Sequence, residues 1–341
     1  MAHMLITGGA GFIGSHLAER LLADGHELTL LDDLSTGREE NIRHLTNEPR
    51  VQVVRDSVEN ISTVNVLMSR VDAVFHLAST VGVRLVAEEP VRTIRTTIHG
   101  TEVVLESAHR FSRPVLITSS SEVYGKGTRV PFSEDDDVVM GATRFSRWCY
   151  AYSKGIDEFL GLGYQRQFGL PVTIVRLFNT VGPRQIGMYG MVLPRFVSAA
   201  VKGEALQVYG DGNQTRCFCH VHDVVAALAK LIQTPAARGK VFNVGSDEEV
   251  SINTLAQRVI DLAGSKSRID HIPYEQAYGP GFDDMSRRVP CLDRIRQAIG
   301  FAPTNDLNQI IQSVIDEERA TDVHCPPPTV HPPEWTVGGG Q

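Results

Sequence analysis

Tyr150 and Lys154 stand four residues apart in a stretch with helical spacing, so both side chains project from one helix face. A free tyrosine titrates near ~10, and a nearby ammonium favours the phenolate; the pair could therefore supply a general base closer to neutral pH. Earlier in the chain, the apolar run Val115-Leu116-Ile117 leads into Thr118, Ser119, Ser120, Ser121 and Glu122. Hydroxyls at the carboxyl edge of a central strand are placed to bond a substrate oxygen beside such a tyrosine, although three consecutive serines also suit a turn. Ser120, Tyr150 and Lys154 are the candidate catalytic set.

The elements needed to position this set begin at the N-terminus. Met4-Leu5-Ile6-Thr7 reads as a strand, Gly8-Gly9-Ala10-Gly11 as a turn, and Phe12-Ile13-Gly14 as the start of a helix continuing through Leu17, Leu21 and Leu22. Glycines at 8, 11 and 14 permit a tight turn, close approach of a pyrophosphate, and close helix–strand packing. Asp32, after the strand Leu28–Leu31, has the spacing of a carboxylate that bonds an adenosine ribose, which favours NAD over NADP; a turn role beside Asp33 is the alternative, and Arg38 keeps NADP open. Asp56, with Ser57 after it, could accept from adenine or cap a helix. Phe75-His76-Leu77-Ala78 ends a fourth strand that should pass the cofactor, with His76 packed rather than catalytic.

Short apolar runs at 4–7, 28–32, 51–55, 71–77, 114–118 and 171–176 alternate with helical stretches. That pattern predicts an α/β fold: a Rossmann-type, doubly wound parallel sheet with ligands at the carboxyl ends of its strands. Beyond about residue 178, breaks such as Gly182-Pro183, Gly210-Asp211-Gly212 and Gly279-Pro280-Gly281 mark a smaller, interleaved substrate-binding α/β region. The expected organisation is a cofactor domain over 1–178, completed by about 214–248, a substrate region over 179–213 and 249–321, and a flexible Pro- and Gly-rich tail over 322–341. Met1-Ala2-His3 reads as an added leader before Met4.

A formal charge of −7 offers no basic field for nucleic acid, and no apolar run suits a membrane span or signal core. The expectation is a cytoplasmic protein. Five scattered cysteines read as reduced thiols; Cys217 and Cys219 would alternate along one strand, and no metal-ligand pattern is present.

Taken together, TGGAGFIG, SSSEVYG, YAYSK, RLFNTVGPR, YGDGNQTRCF and RRVPCL resemble the motifs of extended short-chain dehydrogenases acting on nucleotide sugars, across nearly the whole chain to about residue 320. The resemblance implies NAD as cofactor, a UDP-sugar as substrate, and a homodimer formed through helices at about 90–110 and 146–168. It implies that Ser120 bonds the sugar O4, Tyr150 removes the O4 proton and Lys154 bonds the nicotinamide ribose. Phe12, Ile13 and Ser57 join the cofactor contacts, while Ser121, Asn179, Val208 and Tyr209 join the substrate contacts. Arg216 and Arg288 would grip the diphosphate, with surface ion pairing as the alternative. Thr97 stands where many relatives carry Asn, and Cys217 where many carry Asp.

Such enzymes share a first step, oxidation at carbon 4, and differ in the fate of the ketone. Ser121 replaces the Asp typical of 4,6-dehydratases. Glu122 and Arg288-Val289-Pro290 resemble UDP-glucuronate decarboxylases, as does Trp148-Cys149-Tyr150. Arg195 matches instead the position where UDP-glucuronate 4-epimerases place a carboxylate-binding arginine, which would hold a β-keto acid against loss of carbon dioxide. An exposed helix residue is the alternative for Arg195. The sequence reading therefore favours 4-epimerisation of a UDP-hexuronate, with UDP-glucuronate decarboxylation second. A UDP-hexose 4-epimerase or a non-catalytic NAD(H) sensor stand further off, since fold does not fix function.

Overall fold

Seven parallel strands form the central sheet of the computed structural model, in the order Lys240–Val244, Val172–Leu177, Val115–Ser120, Ala73–His76, His3–Thr7, Glu27–Asp32, Val51–Arg55. The structure describes residues 1–80, 86, 89–187, 191–278 and 285–322. Buried on both faces, the inner strands need apolar side chains at successive positions, which is why their sequences read as unbroken apolar runs. Ile6 and Leu116 point to one face and pack with Leu17, Leu21, Val224 and Leu228 of the helices Phe12–Ala23 and Val221–Ile232. Leu5 and Ile117 point to the other, against Val64, Val104 and Leu160 of Ile61–Met68, Pro90–Phe111 and Trp148–Phe168. The sheet is thus a Rossmann-type, doubly wound layer.

Strand order reverses between His3–Thr7 and Ala73–His76, and the crevice at that switch point opens at the strands' carboxyl ends. The first strand begins at His3, whose ring bonds Thr29 Oγ1 at 2.9 Å, rather than at Met4.

Beside the sheet, helices Val192–Lys202, Ile252–Ala263 and Leu307–Asp322 close a second core with the paired strands Leu206–Tyr209 and Ile269–Ile272. A three-stranded piece orders Glu249–Ser251, Thr215–Cys217 and Arg287–Arg288, placing Arg216 opposite Arg288. Cys217 and Cys219 do not share a strand as expected: Cys219–His220 leaves the Thr215–Cys217 direction to pair with Thr180–Val181, because Asn179 draws the chain over by accepting Cys219 N–H on its carbonyl. Among the described residues, no helix is long and apolar enough to cross a membrane. The expected tail, Cys325 and the break at Gly279-Pro280-Gly281 lie outside the described residues, apart from Asp322, which ends a helix.

Candidate active site

The first turn of the Phe12–Ala23 helix has no side-chain cap, so its leading N–H groups are left to face the crevice. Glycine is required there by contact. A Cβ on Gly14 would lie 2.1 Å from the Gly8 carbonyl oxygen, and one on Gly8, at φ +73°, 2.9 Å from Ala78 N. Asp32 accepts the Ala10 and Leu34 N–H groups at 2.9 and 2.8 Å, one on each oxygen, which aims its carboxylate beside the loop. Burial raises its pKa above the ordinary value, and the two N–H groups oppose that.

A cavity of about 470 Å³ extends from this loop to the second core. Gly8, Gly11, Phe12, Ile13, Gly14, Asp32, Asp56, Leu77 and Ala78 line one end. Ser57 does not line it. Asp56 is already committed to Ser57 N–H, Asn60 Nδ2 and Thr63 Oγ1, the partners of a residue that organises a helix start. Both of its sequence readings thus remain compatible with its place.

At the centre of the cavity stand Ser120, Ser121, Glu122, Tyr150, Lys154 and Asn179. Ser120 ends its strand, accepts the Glu122 N–H at 3.2 Å and hydrogen-bonds the Tyr150 hydroxyl. Behind it, Ser119 donates to Glu158 at 2.5 Å, and Arg176 clamps both Glu158 oxygens at 2.9 and 2.7 Å. Tyr124 lies 4.7 Å from the Arg176 guanidinium and donates to Asn243, which binds the carbonyls of Phe132 and Cys291. This largely buried network ties the serine strand to the segment carrying Arg288.

Lys154 does not lower the Tyr150 pKa as its spacing suggests. Burial raises it well above the ordinary tyrosine value; the negative charges of Glu122 and Asp157 add to that, and the Ser120 bond only partly offsets them. The Lys154 ammonium is instead committed to Asp157, at 3.2 Å. His76 is packed, as expected, between Thr7 Oγ1 at 2.8 Å and Thr101 Oγ1 at 3.0 Å, with burial driving its pKa down to about 3.

Arg288 and Arg147 converge on Glu122, at 2.7 and 3.5 Å. Burial pushes Glu122 up, but Arg288, Arg147 and Arg216 together hold its pKa below the ordinary value. Sequence reasoning misses Arg147, although its position three residues before Tyr150 puts it on the adjoining helix turn. Arg195 is some way off: it donates to the Gln207 carbonyl at 2.8 Å and lies 4.1 Å over the Tyr209 ring. It lines the cavity with Tyr209, Gln214 and Tyr274. Val208 departs from expectation, because strand alternation turns its side chain into the second core while Gln207 and Tyr209 face the cavity. Thr97 bonds Ser79 Oγ at 3.1 Å, and the Cys217 carbonyl accepts from Asn179 at 2.8 Å.

Residues 4–245 match the model of the NAD dependent epimerase/dehydratase family. The chain belongs to that family. It is 43% identical over 312 residues to a UDP-N-acetyl-alpha-D-glucosaminuronate decarboxylase of Bacillus cytotoxicus, covering 91% of this chain and 96% of the relative. It is 34% identical to UDP-glucuronic acid decarboxylase 1 of Danio rerio over 95% of this chain and 76% of that protein. A UDP-glucuronic acid 4-epimerase of Bacillus cereus, solved with UDP-glucuronic acid and NAD, superposes with a TM-score of 0.84 at 25% identity, over 94% of this chain and 99% of its own. NAD is the cofactor of this epimerase/dehydratase member, and the uncapped helix start, the glycines that leave no room for a Cβ, and the aimed Asp32 carboxylate fit it. When bound, it supplies a reversible store for one hydride.

Proposed function

We propose that the protein decarboxylates a UDP-hexuronic acid through a 4-keto intermediate. The observation that carries this reading is the buried Glu122–Arg288 pair, joined by Arg147, in the same cavity as Ser120, Tyr150 and Lys154. Ser120 orients the O4 hydroxyl and Tyr150 takes its proton as the carbon 4 hydride leaves. The product is a β-keto acid. A fixed carboxylate in a dry site disfavours a second carboxylate nearby, so Glu122 would raise the energy of the substrate acid, while Arg288 and Arg147 stabilise the enolate left after the carbon–carbon bond breaks. A proton from water then replaces carbon dioxide at carbon 5, and return of the hydride to carbon 4 regenerates the hydroxyl with the proton held on Tyr150.

Two further points support decarboxylation over the epimerisation that Arg195 suggested. Arg195 is engaged with Gln207 and the Tyr209 ring, an arrangement suited to a nucleotide base rather than to a sugar acid. The relatives at 43% and 34% identity are decarboxylases, one of them of a 2-acetamido sugar. The epimerase reading keeps one specific support, that Arg195 does line the cavity. Incubation with UDP-glucuronate and with UDP-N-acetylglucosaminuronate, followed by NMR, separates them: carbon dioxide and a UDP-pentose support decarboxylation, whereas a UDP-galacturonate-type product with retained carboxylate would replace it. We also propose a cytoplasmic homodimer. Exposed Val91, Ile94, Ile156 and Phe159 on the Pro90–Phe111 and Trp148–Phe168 helices support the pairing, and unpaired thiols at Cys149, Cys217, Cys219 and Cys291 suit a reducing compartment.

A further inference from the structure

Lys154 and Asp157 are three residues apart on the Trp148–Phe168 helix, one turn below Tyr150. Both are almost wholly removed from solvent, with side-chain exposures of 2% and 0%. Asp157 accepts from Lys154 through Oδ2 at 3.2 Å, while Oδ1 has no hydrogen-bond partner. Thr101, whose hydroxyl donates to the Thr97 carbonyl at 2.9 Å, also lies within hydrogen-bonding reach of the Asp157 carboxyl. His76 lies next in line, its ring nitrogens 3.0 Å from Thr101 Oγ1 and 2.8 Å from Thr7 Oγ1, and burial with the nearby Lys154 charge drives its pKa down to about 3, so the ring beside this pair is neutral. Glu158, the next acidic group on the helix, is neutralised by Arg176, and Glu122 by Arg288 and Arg147. Asp157 is therefore the carboxylate that answers Lys154.

We propose that Asp157 is a positioning residue that sets the acidity of Tyr150 by sharing the Lys154 charge. The proposal rests on Tyr150 and Lys154 serving in the carbon 4 oxidation. An unshared ammonium beside Tyr150 would stabilise the phenolate in every state of the site. With the charge divided, Tyr150 holds the proton it has taken until the ketone is reduced, and the same proton returns to O4. Such retention suits a cycle in which the hydride also returns to the carbon it left. Burial raises the Asp157 carboxyl above its ordinary value, and the Lys154 ammonium opposes that rise.

The test is the pH profile of kcat/KM for the NAD-loaded full-length protein and its Asp157→Asn variant, with Tyr150→Phe as the reference. In Asp157→Asn the acid limb should move down by about half to one pH unit, because the unshared ammonium favours phenolate. A 295 nm absorbance titration of the loaded protein should show the same displacement, and Tyr150→Phe in the Asp157→Asn background should abolish it. Superimposable profiles and titrations would overturn the proposal, as would an upward shift. Should Asp157→Asn fail to fold, Asp157→Glu, which keeps the charge at a changed distance, is read by the same titration; an unmoved Tyr150 signal there counts against the proposal. Full turnover in Tyr150→Phe would instead remove the underlying reading of the site.

Discussion

Gly14→Ala is the sharpest single perturbation of the cofactor end. Its added methyl would lie 2.1 Å from the Gly8 carbonyl oxygen and 3.0 Å from both Gly8 C and Gly9 Cα. All three are backbone atoms, so no rotamer change relieves the contact; the helix start and the glycine turn must part by about 1 Å to restore an ordinary separation. Overpacking of this kind costs about 1–3 kcal/mol. Because the displaced pieces are the phosphate-facing turn and the uncapped N–H groups, the same displacement should weaken NAD binding by roughly 5- to 150-fold. Native mass spectrometry of the purified protein, followed by thermal melts with added NAD, measures both effects. The wild type should carry or regain NAD and melt higher with it, whereas Gly14→Ala should melt lower and gain less. NAD retention at the wild-type level and an unchanged melt in Gly14→Ala would show that the Gly8 carbonyl does not exclude a Cβ at this position.

Glu158→Ala would leave Arg176 charged and buried without its clamp, and should cost about 3–5 kcal/mol in denaturant unfolding, since breaking one side of a buried pair is more damaging than replacing both. Arg195→Ala should weaken binding of UDP and of the UDP-sugar equally in calorimetry, with the carbon dioxide to epimer ratio unchanged; a change confined to the acid sugar would return Arg195 to the carboxylate site. The buried histidines set an acid dependence. His76 is driven down to about 3 and His220 to about 4 by burial, so below the ordinary value of 6.5 the unfolded chain takes up protons that the folded chain refuses. Stability is therefore full above pH 6.5 and falls as pH drops toward those values, by about 1.4 kcal/mol per pH unit for each such proton. Melting curves between pH 7 and 4.5 should descend accordingly, and His76→Gln should flatten part of the slope.

The sheet was legible because its inner strands obey a rule that acts locally: runs buried on both faces must be apolar, and the runs at 28–32 and 171–176 coincide with Glu27–Asp32 and Val172–Leu177 to within a residue. The glycine turn was legible for a similar reason, since a missing Cβ has a steric meaning without knowledge of distant partners. The features that escaped depend on residues brought together from far apart. Glu122 meets Arg288 only because Phe132 pairs with the segment around Pro290, and nothing near either residue announces that bridge. The spacing of Tyr150 and Lys154 indicated a face but not a charge balance, because Asp157 shares the ammonium and burial dominates the tyrosine. Val208 was misplaced by one position of strand alternation, and Cys217 and Cys219 by a change of strand direction between them.

In the proposed reaction the cavity turns a 4-keto acid toward loss of carbon dioxide. The direct measurement is carbon dioxide release from UDP-glucuronate and UDP-N-acetylglucosaminuronate labelled at the carboxyl carbon, compared between wild type and Glu122→Gln in the presence of NAD. Wild type should release stoichiometric labelled carbon dioxide from at least one of the two sugars, and Glu122→Gln should nearly lose that release. Label retained in a 4-epimerised acid, or equal release from the two proteins, would contradict that reaction.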